Sequence, residues 1–422
     1  MSHFRTVTRL LVVAIAAIAL GACATGADHH DHDHHGHDHH ADHDHHGHDH
    51  HGHDHDGTDG RLLVVTDHGT IAVLDAHDGD VEAVFAHALP DGALAAYAGP
   101  SGEFGYVVHR DASIVIVVDS GQILEEHDGH EDLEFGPIGL LGEIRVGSLP
   151  THFTTMAGRV GFYNDGSGDI TILDEGALRS GIVTRLVPAR VDHGAPVLLA
   201  DQMIVGYVGE TFVEIMDYDG TVLQTIPNVS RAHGQARVGR FSAIGAVEGV
   251  LVVTQTGSRF DARMVTNPSG TPDGVRTGTL YAHPRLPHFV GNLGQGLVKV
   301  DPAAHTSVAI PLPAAPWRFG IDRSGHYIVV LGQDGVVYVL DADTFEMVGS
   351  VAAVPARDPD APRGTPIPSL TLGRRVAFLS DPASNHIYEI HLDDVEIEAE
   401  FHVELDGTVT GIALMVTDGI VH

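Results

Sequence analysis

The fold of this chain is decided by Leu62-Leu63-Val64-Val65-Thr66-Asp67 and the run that follows it, Thr70-Ile71-Ala72-Val73-Leu74-Asp75. Each run is short, apolar and closed by Asp, and a tight turn separates the two. Runs of Val, Ile and Leu on either side of such a turn are typical of two antiparallel β-strands. The same module recurs far along the chain as Tyr327-Ile328-Val329-Val330-Leu331 followed by Val336-Val337-Tyr338-Val339-Leu340-Asp341.

Copies of this module give the chain from residue 61 to residue 422 a regular β repeat. Their spacing of about 45 residues is the period of four-stranded propeller blades. We therefore predict an all-β fold, a β-propeller of seven or eight blades with eight favoured, because radial repetition leaves few free strand edges. The irregular unit near residues 240–281 keeps seven blades open, and a pair of β-sandwiches explains the even spacing less well. The other units begin near Gly105, Val160, Met203, Phe241, Phe289 and Val376.

The N-terminal residues have the pattern of an export signal that ends in a lipid-modified cysteine. Arg5 and Arg9 provide a positive start, residues 10–20 are apolar without interruption, and Leu20-Gly21-Ala22-Cys23 matches a lipoprotein cleavage box. The apolar stretch is short for a membrane span, which favours processing over the alternative of an uncleaved anchor. We predict that residues 1–23 are a lipoprotein signal peptide. Lipid on Cys23 would anchor the exported chain at the outer face of the cell membrane, at the cell surface or on the periplasmic side.

Residues 24–60 form a tract dominated by histidine and aspartate. Sixteen histidines lie within residues 29–55, and Asp and Gly make up nearly all the rest. Imidazole is a ligand for zinc, copper and nickel, and the tract lacks the apolar residues needed for a core. We predict a disordered segment that captures metal at weak, exchangeable sites, with His34, His35 and His37 among the ligands. A solubility tail or a purification tag is the alternative interpretation.

The composition limits the chemistry of the exported part. Cys23 is the only cysteine, so the domain that follows has neither a disulfide nor a thiolate metal site. Asp plus Glu number 57 against 23 Lys plus Arg, and Lys299 is the only lysine. A chain this negative is a poor binder of nucleic acid and is compatible with concentrating cations. A general bias toward acidic composition explains the charge equally well.

Three histidines recur where successive units approach their innermost strands. They occur in Pro150-Thr151-His152-Phe153, in Asp192-His193-Gly194 and in Ala232-His233-Gly234. Because equivalent positions of neighbouring blades point toward one axis, we expect His152, His193 and His233 to converge. Three imidazoles plus a carboxylate or water satisfy tetrahedral zinc, and Asp192 is predicted as the fourth ligand or as the acceptor that orients an imidazole. Histidines that merely hydrogen-bond across the channel are the alternative.

A second cluster lies in the long segment after the second unit. It reads Glu125-Glu126-His127-Asp128-Gly129-His130-Glu131-Asp132, in which two histidines stand among five carboxylates. His127 and His130 are therefore predicted metal ligands. This loop either folds over the channel mouth and completes the main site or binds a second ion. A solvated acidic loop without a ligand is the remaining alternative.

Several short segments together carry a family resemblance. They are the His-rich start, Glu125-Glu126-His127-Asp128-Gly129-His130, Leu149-Pro150-Thr151-His152-Phe153, Asp192-His193-Gly194, Ala232-His233-Gly234-Gln235-Ala236 and Trp317-Arg318-Phe319. In their order and spacing they resemble the AztD-type zinc metallochaperones, which are exported β-propeller proteins that accompany a zinc ABC transporter. The resemblance covers most of the chain after the tract. Two features depart from the family pattern, the lipoprotein box and the length of the histidine tract.

This resemblance implies a function as well as a fold. Zinc would be held by propeller histidines and passed directly to the solute-binding protein of the transporter. The ligand positions that it implies are His127, His130, His152, His193 and His233, with Asp192 as a further one.

An enzyme and a scaffold are the competing classes of function. Propellers host dehydrogenases, lactonases and hydrolases, so the fold alone decides nothing. The sequence contains neither a Gly-x-Ser-x-Gly elbow nor a nucleotide-binding loop. A metal-dependent hydrolase would use the same histidines and leave one coordination position for water, whereas a scaffold would use the tract only to buffer metal. We expect a monomeric zinc carrier, held at the membrane by its lipid, that is not an enzyme and binds no nucleic acid.

Overall fold

The computed structural model describes residues 60–127 and 130–417, and for residues 125–127 and 130–132 it describes the backbone alone. In these residues the chain forms 34 β-strands and one 3₁₀-helix, Glu175–Ser180. That part of the chain contains no helix long and apolar enough to span a membrane. The predicted signal peptide, the lipidation of Cys23 and the histidine tract with His34, His35 and His37 lie outside the described residues.

The first half of the described chain contains seventeen short strands. Most of them are rich in Val, Ile and Leu, because these β-branched and apolar side chains fit a pleated surface that is covered on both faces. The strands are β1 (Arg61–Thr66), β2 (Ile71–Asp75), β3 (Val81–Phe85), β4 (Ala95–Ala98), β5 (Phe104–His109), β6 (Ile114–Asp119), β7 (Gln122–His127), β8 (His130–Phe135), β9 (Gly139–Ile144), β10 (Pro150–Met156), β11 (Arg159–Asn164), β12 (Asp169–Asp174), β13 (Arg185–Pro188), β14 (Gly194–Leu198), β15 (Gln202–Tyr207), β16 (Phe212–Asp217) and β17 (Val222–Pro227).

The second half repeats the same architecture. Its strands are β18 (His233–Val238), β19 (Phe241–Gly245), β20 (Gly249–Thr256), β21 (Arg259–Thr266), β22 (Leu280–Tyr281), β23 (Phe289–Leu293), β24 (Gly296–Asp301), β25 (Thr306–Ile310), β26 (Pro316–Ile321), β27 (Tyr327–Gly332), β28 (Val336–Asp341), β29 (Met347–Ala352), β30 (Leu370–Leu372), β31 (Val376–Asp381), β32 (His386–His391), β33 (Glu396–His402) and β34 (Val409–Met415).

In the described residues these strands form eight four-stranded antiparallel sheets, which we call blades 1 to 8. From the innermost strand outward, blade 2 is β4-β5-β6-β9, and blades 3 to 8 each use four consecutive strands, from β10–β13 to β30–β33. The two strands left over, β7 and β8, pair as a hairpin inserted between β6 and β9. The prediction of an eight-bladed β-propeller is confirmed. The unit near residues 240–281, which kept seven blades open, forms blade 5 and the start of blade 6.

Blade 1 closes the ring with strands from both ends of the described chain. Its order from the centre outward is β34-β1-β2-β3, so the last strand is the innermost strand of the blade that contains the first. β34 pairs antiparallel with β1 and places Leu63 opposite Ala413. Closure packs blade 1 against blade 8 in one apolar cluster, so neither blade is left with an uncovered apolar face.

The core lies between the blades. The second and third strands of each blade are buried on both faces because neighbouring blades cover them, and β1 is buried along its whole length. Aromatic side chains contribute to this packing, as where Tyr106 of blade 2 meets Phe162 of blade 3 edge to face at 5.8 Å between ring centroids. Outermost strands such as β3 and β17 are largely exposed. Burial thus explains why the inner strands read as continuous apolar runs.

The innermost strands of all blades begin at one end of the channel and finish at the other. We call the end at which the innermost strands begin the start rim, and the opposite one the end rim. The hairpin β7–β8 leaves from the end rim, because β6 ends there at Asp119, opposite Phe104. The Gln122 side chain, at the base of the hairpin, donates a hydrogen bond from Nε2 to the carbonyl oxygen of Met415, the last residue of β34, at 2.9 Å.

Replacing Ile412 of β34 by Ala should loosen the closure of the ring. Ile412 is 3% exposed and packs in a cluster shared by blades 8 and 1. Loss of a buried Ile side chain costs about 2–5 kcal/mol, so the urea midpoint of unfolding should fall clearly. The matched control is Ile397→Ala on β33, where the side chain is 37% exposed and the cost should stay below about 1 kcal/mol. Equal shifts for the two variants would contradict a closure that depends on β34.

Candidate metal centre

His152, His193 and His233 come from three neighbouring blades at the start rim. His152 lies within β10 of blade 3, His193 immediately precedes β14 of blade 4, and His233 is the first residue of β18 in blade 5. The three histidines are therefore adjacent around the ring. They do not occupy equivalent positions within their strands, although the sequence analysis expected equivalent positions. The pairing shifts register at His152 and after His233, and such bulges re-aim the side chains next to them.

The imidazole nitrogens of these residues face one another. The Nε2 atom of His193 lies 3.0 Å from Nε2 of His152 and 2.9 Å from Nε2 of His233. The ring centroids of His152 and His233 are 4.7 Å apart. Three imidazoles bound to one zinc ion at 2.0–2.1 Å would have nitrogens about 3.3 Å apart, so a small outward movement would accommodate the ion.

The other ring nitrogens determine which tautomers are present. Nδ1 of His193 lies 2.8 Å from Oδ2 of Asp165, and Nδ1 of His233 lies 2.5 Å from the carbonyl oxygen of Gly278. We assign the ring proton of both histidines to Nδ1, because only a donor satisfies an oxygen there. Both Nε2 atoms then carry lone pairs and face each other without a proton between them. Such a contact is repulsive unless a cation lies between the two nitrogens.

Asp165 is the carboxylate that orients this cluster. It follows β11 directly, and its Oδ2 also accepts a hydrogen bond from Arg110 Nη2 at 3.3 Å. Its Oδ1 is sealed from solvent and has no hydrogen-bond partner in the described part of the chain. A carboxylate on the distal nitrogen of a metal-binding imidazole fixes the tautomer and raises the basicity of the ligand. Sequence reasoning missed Asp165; its position at a strand end, one blade before His193, was the available signal.

Asp192 contacts backbone N–H groups, whereas its position beside His193 in the sequence suggested a metal ligand or an acceptor for an imidazole. Its Oδ1 accepts a hydrogen bond from the backbone N–H of His193 at 2.6 Å, and both of its oxygens accept from the N–H of Gly209 at 3.0–3.1 Å. The side chain therefore holds the turn before β14, and the carboxylate beside an imidazole is that of Asp165. The assignment of Asp192 as a metal ligand stays a prediction.

Burial favours the neutral form of His152 and His233. It lowers the pKa of His152 to about 3, with the neighbouring His233 and His193 acting in the same direction. Burial also lowers the pKa of His233, against the opposing effect of its hydrogen bond to Gly278. Neutral imidazoles are the form that binds metal, so both ligands are available without first losing a proton.

A cavity adjoins the cluster on the side of His152 and His233. Among the described residues, these three histidines are the one group of three or more potential ligands whose donor atoms all lie within 4.8 Å of one another. The cavity has a volume of about 620 Å³ and is bordered by His152 and His233. Arg276 is close enough to lower the pKa of both of these histidines. The cluster is thus a three-nitrogen site with an open position and a cationic neighbour.

The backbone of His127 and His130 lies at the tip of the hairpin formed by β7 and β8, where the two residues are opposite each other in register. That hairpin leaves from the end rim, whereas the three histidines lie at the start rim. Of the possibilities left open for the acidic loop, this topology favours a separate ligand loop or a solvated loop over a cap on the three histidines, and both residues stay predicted ligands. Cys23, His34, His35 and His37 lie outside the described residues.

Fold and site together define the class, an eight-bladed propeller with a three-histidine candidate metal centre at one mouth of its channel. No protein-family model matches the chain. A curated relative, the zinc chaperone AztD of Citrobacter koseri, is 25% identical over 374 residues, which cover 85% of this chain and 87% of the relative.

Solved structures of that relative have the same fold. A crystal structure of Citrobacter koseri AztD matches with a TM-score of 0.77 and 25% identity, over 86% of this chain and 100% of that one. The structure of apo AztD from the same organism matches with a TM-score of 0.74 and 24% identity, over 85% and 98% of the two chains. The resemblance inferred from the sequence is confirmed.

Metal-free protein should lose stability in acid through this cluster. Because the pKa of His152 is about 3 in the folded chain and 6.5 ordinarily, the unfolded chain binds a proton that the folded chain does not. The stabilisation is complete above pH 6.5 and is lost as the pH falls toward about 3. In that window His152→Asn should flatten the slope of unfolding free energy against pH by up to about 1.4 kcal/mol per pH unit, measured by urea titration.

His68→Asn is the control with the opposite sign. The hydrogen bond to Asp406 raises the pKa of His68, so this histidine stabilises the fold in acid and the contribution disappears as the pH rises past the raised pKa. Removing it should therefore abolish the gain in stability that the wild-type chain shows as the pH falls toward 6.5, and should leave the slope between pH 6.5 and about 3 unchanged. If His152→Asn left the slope unchanged, the burial of a neutral imidazole at that position would be contradicted.

Proposed function

We propose that this protein is an extracytoplasmic zinc chaperone that captures zinc and transfers it to the solute-binding protein of a zinc ABC transporter. The observation that carries the proposal is the contact of 2.9 Å between Nε2 of His193 and Nε2 of His233, both assigned as unprotonated. Two lone pairs held this close form a site that is completed by a cation. The name of the similar protein, a zinc chaperone, supports zinc as that cation.

Zinc suits the donor set. It is bound by imidazole nitrogen in tetrahedral geometry, and three imidazoles leave one position for water or for an incoming ligand. Thiolate-bound metals are disfavoured because the chain after Cys23 has no cysteine. In this proposal zinc is cargo, so the site must release it as well as bind it.

The open position supports transfer by ligand exchange. A partner can place its own ligand on the ion from the cavity side before the three histidines have let go, so no free ion is formed. Arg276 near the cluster lowers the affinity for a divalent cation by charge repulsion, which favours release to a partner with a more negative site. The solute-binding protein of a zinc transporter is the partner that the family resemblance implies.

Two further segments would collect zinc before it reaches the rim. Residues 29–55 would act as a capture tract, because many weak sites give a high local concentration of exchangeable metal. His127 and His130 would bind a second ion on the end-rim hairpin, with the carboxylates around them. Cleavage before Cys23 and its lipidation would hold the monomeric chain at the outer face of the cell membrane, so that zinc captured there stays near the transporter.

Replacing His193 and His233 together by Ala should abolish tight zinc binding. Competition titration with a chromophoric chelator should show about one tight zinc plus weaker sites in the wild-type chain, and only the weaker sites in the double variant. Deleting residues 29–55 should have the reverse effect and remove weak capacity while sparing the tight site. The control is the double variant His68→Ala, His87→Ala, which removes two exposed histidines beside Asp406. Full affinity in the His193, His233 variant would refute the site.

The same titration distinguishes the rival functions when a partner is added. A chaperone loses its tight zinc to the apo form of the zinc-binding partner faster than zinc dissociates into free chelator. A hydrolase retains its metal and turns over an ester or lactone, and a scaffold does neither. Retention of zinc together with substrate turnover would replace the chaperone proposal by the hydrolase.

Asp165→Asn should weaken the tight site while Asp192→Asn leaves it nearly intact. The first change removes the carboxylate charge behind His193, which costs about 10–100-fold in metal affinity at comparable sites. The second keeps an oxygen that can accept from the backbone of His193 and Gly209. Zinc affinity and its pH dependence are measured for both variants. An equal loss for Asp192→Asn would show that Asp192 acts at the metal after all.

A further inference from the structure

The segment Trp317-Arg318-Phe319 has no part in the proposed zinc function. Arg318 lies in β26, the innermost strand of blade 7, two residues after Pro316 at a point where the pairing with β27 shifts register. His152 has the same setting in β10 of blade 3, two residues after Pro150. Blades 3 and 7 face each other across an eight-bladed ring. Arg318 therefore approaches the channel from the side opposite His152.

Two tyrosines from other blades lie near the guanidinium of Arg318. Tyr97 belongs to β4 of blade 2 and Tyr281 to β22 of blade 6, and both border the channel cavity of about 620 Å³. Both phenol groups are near enough to act on the pKa of Arg318. Blades 2 and 6 lie on opposite sides of the ring, so a group within range of both lies in the channel. Tyr281 is 40% exposed, which shows that water enters the channel at this level.

Arg318 has no anionic partner in the part of the chain that the structure describes. The hydrogen bond that it makes there runs from Nη1 to the carbonyl oxygen of Trp317 at 3.1 Å. Burial lowers the pKa of Arg318, and no described carboxylate is near enough to offset that effect. Other part-buried arginines are paired, as Arg179 is with Asp119 at 2.8 Å and Arg190 with Glu214 at 2.9 Å.

The tyrosines add donors to this unpaired charge. Burial raises the pKa of Tyr97, and a phenol keeps its proton at neutral pH even at its ordinary pKa of about 10. Stacking on Phe153 at 4.7 Å between ring centroids positions Tyr97, and an edge contact with Phe319 at 5.1 Å positions Tyr281. Charged groups that leave bulk water are normally paired, and the described residues offer the Arg318 guanidinium a backbone carbonyl oxygen but no carboxylate.

We propose that the central channel contains an anion site in which Arg318, Tyr97 and Tyr281 bind a small oxyanion, either a carboxylate or a phosphate. The planar guanidinium offers two parallel N–H donors to such a group, and the phenol hydroxyls add donors from other directions. The cavity of about 620 Å³ that Tyr97 and Tyr281 border is in the size range of small-molecule sites. The proposal does not depend on zinc, because none of its residues belongs to the three-histidine cluster.

The test titrates the full chain with inorganic phosphate and, separately, with succinate. Zinc is first removed on a chelating resin, since soluble chelators are themselves polycarboxylates. Trp317 is the only tryptophan, so its fluorescence reports binding next to Arg318, and calorimetry gives a second, independent measurement. We expect saturable binding of at least one of the two anions with a Kd of about 1 mM or tighter. The anion that binds more tightly identifies the source as carboxylate or phosphate.

Three variants make the result specific to the channel. Arg318→Gln should weaken binding by about tenfold or more, because it removes charged hydrogen bonds, and Tyr281→Phe should weaken it by a smaller factor. Arg259→Gln is the charge-matched control on the exposed end of β21 and should change affinity by less than about twofold. Circular dichroism checks that each variant is folded. The proposal is overturned if neither anion saturates the wild-type chain by about 20 mM, or if Arg318→Gln and Tyr281→Phe both bind as the wild type does.

Discussion

The pairing of β34 with β1 is the contact on which the other parts of the structure depend. Blades of a propeller touch only their neighbours, so an unclosed ring could open at its weakest junction and let every other junction relax. Here strands from the two ends of the described chain share one sheet, with Leu63 opposite Ala413 and Gln122 bonded to the end of β34. A closed ring holds blades 3, 4 and 5 at fixed angles, which a cluster built from one side chain of each requires.

In the cluster, the unprotonated Nε2 atoms of His193 and His233 are held in an unfavourable contact, which requires such a rigid frame. Nδ1 of His193 is hydrogen-bonded to Asp165 and Nδ1 of His233 to the carbonyl oxygen of Gly278, so neither imidazole can move its proton to Nε2 without losing that hydrogen bond. Ligands that are ordered before the ion arrives lose little entropy on binding it. Without a metal ion the two Nε2 atoms repel each other. In the proposed function, relief of this repulsion drives the capture of zinc when zinc is present at low concentration.

The repeat, the fold class and the three histidines were all accessible from the sequence, because each leaves a local trace. Apolar runs at about 45-residue spacing indicate blades, and a histidine before successive innermost strands indicates a shared rim. Asp165 was missed because it belongs to the turn after the second strand of blade 3 and reaches His193 only through the contact between blades; the one trace that it leaves in the sequence is its position at a strand end, one blade before His193. Asp192 is next to His193 in sequence, and its side chain accepts hydrogen bonds from backbone N–H groups; its role as a metal ligand stays a prediction. The strand that closes the ring could not be predicted either, because the sequence of β34 is an apolar run like the others and only its pairing with β1 identifies it.

Repetition also explains why one channel can carry two opposite chemistries. Pro150-Thr151-His152-Phe153 and Pro316-Trp317-Arg318-Phe319 begin the innermost strands of opposite blades, share a proline and a phenylalanine, and shift register at the same point. The frame fixes where the third residue of each segment points, and the residue type then decides what it binds. An imidazole with neighbouring imidazoles gives a cation site, whereas a guanidinium without a carboxylate favours an anion. Because the chain carries 57 acidic against 23 basic residues, its general field attracts cations and repels anions. An anion can therefore be held in this channel only by a local cluster of donors, and Arg318 with its two tyrosines is such a cluster.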